Sequence, residues 1–121
     1  MNSKEFRAEL VKIMPGYKWT VHQSRTPELL IATGIQYSGS NRLSTLSIDR
    51  VERKGQKPTY QAKSAGYGRR AMWLHANNDG TLALALRGLQ DHYERQEAMY
   101  RSHAKALQQG RLDANGKQEP V

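Results

Sequence analysis

Arg50, Arg53, Lys54 and Lys57 fall within eight residues of one another, and Lys63, Arg69 and Arg70 follow before the chain turns apolar at Met72. With Arg42 included, residues 42–70 hold eight cations against only Asp49 and Glu52. Guanidinium and ammonium groups at this density hold phosphates with little regard for base sequence. Tyr37, Tyr60 and Tyr67 lie among them, and tyrosine rings in such a setting stack on unpaired bases. The chemistry on offer is polyanion binding. Nucleic acid, single-stranded above all, is the leading reading, with contacts at Arg50, Arg53, Lys54, Lys57, Tyr60, Lys63, Tyr67, Arg69 and Arg70. The alternative is an interaction module, an inhibitor or adaptor, docking on an acidic or nucleic-acid-binding surface of a larger complex. A third reading is bland: sheet-edge Lys and Arg keep strands from pairing with other chains.

Other chemistries find little support. Gly66-Tyr67-Gly68-Arg69-Arg70 combines close backbone approach with phosphate-seeking forks, but no Gly-Lys-Ser/Thr comes after it, so it is not a P-loop. His22, His75, His92 and His103 are scattered, with no pair at helical metal-ligand spacing and no carboxylate pattern completing a triad. The absence of cysteine excludes disulfides, thiol catalysis and thiolate metal sites. The expectation is a non-enzymatic protein without catalytic residues, metal or cofactor. Trp73 stands apart from the other apolar residues, in an irregular segment between the basic loop and a polar turn. Exposed there, it would anchor a protein partner or a stacked base. Tyr100 is the second partner-facing candidate.

These side chains need elements to hold them. At 121 residues the chain is long enough for one domain with its own core. Its mean hydropathy of −0.82 is low, but the apolar residues are periodic. The net charge of +8 suits an acidic partner. No apolar run approaches the roughly 18 residues of a membrane span, and the first residues lack a signal peptide's apolar core, so the expected address is the cytoplasm.

Ser3 reads as the cap of a short helix over Lys4–Ile13, with Phe6, Leu10 and Ile13 as its stripe. Tyr17–Gln23 alternates, with Tyr17, Trp19 and Val21 on one side. Leu29–Tyr37 is a second strand, with Leu29, Ile31, Thr33, Ile35 and Tyr37 on one face and Gly34 as a candidate bulge. The turn Ser38–Asn41 suits a hairpin. Arg42–Arg53 is a third strand centred on Leu46 and Ile48, and Thr59–Tyr67 a fourth. Asn77-Asn78-Asp79-Gly80 reads as a turn, with Asp79 or Thr81 capping the last helix. From Leu82 the spacing of Leu82, Leu86, Leu89 and Tyr93 is helical, thinning through Gln96, Tyr100, Ala104 and Leu107 towards a stop at Gly110.

The expected architecture is α+β: a short N-terminal helix, an antiparallel sheet of three to four strands, and a long C-terminal helix packed on the sheet. Residues 1–110 form one domain and 111–121 a disordered tail. The thinning stripe suggests a homodimer through the last helix. Four strands and then a helix is an order similar to that of Whirly-type and Pur-type single-strand binders, which resemblance implies an open, basic, tyrosine-bearing sheet. Helix, three strands, helix is likewise similar to the order of double-stranded-RNA-binding domains.

Overall fold

The computed structural model describes residues 1–24, 26–68 and 70–118. The chain divides between Leu89 and Gln90 into two units.

The first unit opens with helix α1 (Ser3–Ile13), then strands β1 (Lys18–His22), β2 (Leu29–Ser38), β3 (Asn41–Val51), β4 (Thr59–Ala65) and β5 (Trp73–Asp79). The strands form one antiparallel sheet in chain order. The class is α+β as expected, but the sheet has five strands. The additional strand is β5, whose Asn77-Asn78-Asp79 reads locally as a turn. Pairing with β4, from Tyr60 opposite Asp79 to Ala65 opposite Trp73, overrides that propensity. Asn77 Nδ2 donates to the Ala85 carbonyl at 3.1 Å, which anchors the strand to the next helix.

The cap of α1 is Asn2 rather than Ser3. The Glu5 amide donates to Asn2 Oδ1 at 2.8 Å and the Asn2 amide to Glu5 Oε1 at 3.0 Å, a reciprocal box that needs its acid three residues on. Helix α2 (Leu82–Gln118) starts as anticipated, with the Leu84 amide donating to Thr81 Oγ1 at 3.2 Å. The expected stop at Gly110 is not observed, and residues 111–118 are helical.

Strand register divides the sheet into two faces. One carries Trp19, Leu30, Ala32, Leu46, Ile48, Tyr60 and Ala62, which form a single core with Phe6 and Leu10 of α1 and Leu82, Ala85, Leu86 and Leu89 of α2. On β2 the fully buried positions are thus Leu30, Ala32 and Gly34, not the bulkier Ile31 and Ile35. The reason is Trp19, which lies opposite Gly34. A Cβ at position 34 would come within 2.7 Å of its ring. The glycine is a seat for the indole, and the register shift falls instead between Gln36 and Tyr37. The Trp19 Nε1–H donates to the Met14 carbonyl at 3.0 Å, satisfying the one polar atom of a buried ring. The opposite face is the open face: no helix of the first unit covers it.

The second unit is the continuation of α2. Its side chains from Glu97 to Leu112 are all exposed, including Tyr100 and Leu107.

Candidate nucleic-acid interface

Two of the predicted contact residues are withdrawn into the core side of the sheet. Arg50 and Tyr60 are directly opposite one another on β3 and β4, and both are buried. Arg50 Nε donates to Tyr60 Oη at 2.9 Å, and Nη1 pairs with Glu52 Oε2 at 2.8 Å. Burial disfavours the Arg50 charge, but the hydrogen bonds to Glu52 and Tyr60 outweigh it and hold its pKa above the ordinary value. The same hydrogen bond and charge hold the Glu52 carboxyl below the usual carboxylate range. Arg50 is therefore a structural cation with its partners in place, and Tyr60 offers no ring face to a base. Arg50 lies on the same face of β3 as Leu46 and Ile48, and that is the face the helices cover.

The remaining cations separate into two groups. Arg53, Lys54 and Lys57 are exposed on the β3–β4 turn, around an open depression of about 520 Å³ that Glu28 and Glu52 also line. Lys63 lies on the open face, and Tyr67 and Arg70 are exposed in the loop between β4 and β5. Arg69 lies outside the described residues. Arg53, Lys54 and Lys57 precede β4, and Tyr67 and Arg70 follow it; six steps of about 3.3 Å set the ends of the strand roughly 20 Å apart, and Lys63 lies between them, nearer the second.

Trp73 begins β5 and is 49 % exposed. The Lys63 ammonium sits over its ring, 5.0 Å from the centroid. Beside it is a recess of about 210 Å³ on the open face, lined by Thr33, Arg42, Thr45, Ala65, Gly68 and Trp73 among others. The Gly68 amide donates to the Arg42 carbonyl at 2.9 Å, which folds the β4–β5 loop back over the start of β3. Gly68 makes that turn with a φ of +100°, where a side chain would be strained. Arg42 Nε is buried and has no hydrogen-bond partner. A buried donor without an acceptor costs about 1–3 kcal/mol. Tyr37, Tyr67, Met72 and Leu74 are exposed as well.

Sequence reasoning named Lys63, Tyr67 and Trp73, which the structure brings to this end of the sheet, and did not name Arg42 as a contact. Its signal was weak: one cation just after a hairpin turn, distant in sequence from the loop that meets it. Tyr100 belongs to the second unit and is 66 % exposed. Among the described residues no group of three or more His, Asp or Glu could hold a metal, and no helix is long and apolar enough to cross a membrane. No family model, curated protein or solved structure matches the chain.

Proposed function

We propose that this is a non-enzymatic cytoplasmic protein that binds single-stranded nucleic acid on the open sheet face. The observation that carries the reading is Trp73: a half-exposed indole on the sheet face that no helix of the first unit covers, with Lys63 over its ring and the Arg42 recess beside it. A base stacks on the indole, and stacking of this kind is tolerant of sequence. Lys63 and Arg70 take the adjoining phosphates. Arg53, Lys54 and Lys57 contact the backbone further along the strand. Fluorescence anisotropy with labelled single-stranded DNA, duplex DNA and RNA at two salt concentrations tests this. Sub-micromolar binding that weakens steeply with salt supports it. Absence of binding to all three at low salt overturns it.

The exposed side chains of Met72 and Leu74 favour a second reading, a protein partner docked on these residues. A complex that survives nuclease and is lost on Leu74→Ser selects that reading. For the second unit a homodimer is proposed through the stripe containing Tyr100 and Leu107. Asp91 and Glu94 towards its start complement Lys105 and Arg111 further on when two copies run antiparallel, while Glu97 and Arg101 pair within the helix. Sedimentation showing only monomer at high concentration removes this dimer.

A further inference from the structure

We infer that the recess beside Trp73 takes one nucleobase of the bound strand and favours guanine, with Arg42 reading its acceptor edge. The inference rests on the strand-binding reading and adds a base preference to it. The recess, about 210 Å³ and partly open, is of a size to take a single base. Its lining suits a flat ring: it includes the Trp73 indole, the Ala65 methyl and Thr45, which is 9 % exposed. Among the described residues Arg42 is the one charged group lining it, and its buried Nε has no hydrogen-bond partner. A guanidinium presents two parallel donors, which match the O6 and N7 acceptors of guanine. Adenine places an amino donor where guanine has O6, so it meets the fork with a donor against a donor. A phosphate fits less well, because the indole and alanine offer it nothing. Lys63, whose ammonium sits over the Trp73 ring, is the group for the phosphate of the same nucleotide.

The test uses oligothymidine and the same oligomer with one central dG or one central dA. Binding is followed by anisotropy and by tryptophan quenching, which reports on Trp73 because Trp19 is buried in the core. The dG oligomer is expected to bind on the order of tenfold more tightly than the dA oligomer. Arg42→Lys keeps the charge without the fork. It is expected to retain oligothymidine binding within about threefold and to bind dG and dA alike. A thermal melt establishes that the variant is folded, and Arg42→Gln serves in its place if it is not. Wild-type protein that binds oligothymidine but treats dG and dA equally overturns the inference and leaves the strand reading standing. So does a dG preference that survives Arg42→Lys and Arg42→Gln. Failure to bind any oligomer overturns the strand reading itself, and the base preference with it.

Discussion

Two cation–aromatic pairs sit on opposite faces of this sheet. Arg50 and Tyr60 meet across β3 and β4 on the side that the helices cover. Lys63 and Trp73 meet across β4 and β5 on the side that no helix of the first unit covers. The residue types are alike, but the surroundings are not. Arg50 donates to a phenol and a carboxylate, and its aromatic partner is 5 % exposed. Lys63 rests on a ring that is 49 % exposed, next to an arginine with a donor to spare. A buried cation whose donors are satisfied has been assigned to the fold. Lys63 has a half-exposed ring as its partner and is the cation proposed to meet a ligand. Neither composition nor local spacing distinguishes the two.

The sharpest way to break this comparison is Arg50→Met. It removes the pairing of Glu52 and the donor to Tyr60, and is expected to destabilise the fold by about 2 kcal/mol in urea unfolding. Strand affinity of the folded variant should stay within about twofold of wild type. A loss of affinity as large as that of an open-face variant would show that the two faces are not functionally separate. Trp73→Ala is the reciprocal change. It should cost about 1–2 kcal/mol of binding free energy in anisotropy titrations, while stability moves by no more than about 0.5 kcal/mol. Unaltered affinity would take Trp73 out of the interface.

Smaller effects sharpen the picture. Lys54→Gln and Lys57→Gln, at the far end of β4, should each lower the logarithmic salt slope by about one, equally for every base sequence. Slopes that do not change would confine the interface to the Trp73 end. The smallest effect concerns pH. Because Arg50 lowers the Glu52 pKa in the folded state, Glu52 contributes stability above the ordinary carboxylate value of about 4.3. That contribution is lost as pH falls through the lowered folded value. The stability gap between wild type and Glu52→Gln should therefore be widest near neutrality and close at strongly acidic pH. A gap that widens on acidification would contradict the pairing.

Much of the fold was legible because period and punctuation agreed. Trp19 and Val21, Leu46 and Ile48, and Leu82, Leu86 and Leu89 all stand where their spacing implies. β5 was not legible, since an edge strand built from His75, Ala76, Asn77 and Asn78 has no apolar alternation to read. The face of β2 was not legible either: the larger residues Ile31 and Ile35 alternate as well as Leu30 and Ala32, and only the seat of Trp19 over Gly34 chooses between them. Of the site, Trp73 and Lys63 could be named from sequence, and Arg42 could not.

The sequence alone determined the α+β class, the lack of thiol chemistry and the excess of positive charge over residues 42–70. Each is a property of composition or of local period, which requires no knowledge of what lies opposite. Only the tertiary structure decided which cations are internal and which are open. Strand register sets the face on which a side chain lies, and helices cover one face of the sheet. Arg50 and Lys63 are thirteen residues apart in the chain, an odd step counted through a turn that sequence cannot resolve. The pairing of β3 with β4 sends one into the core and the other to the open face.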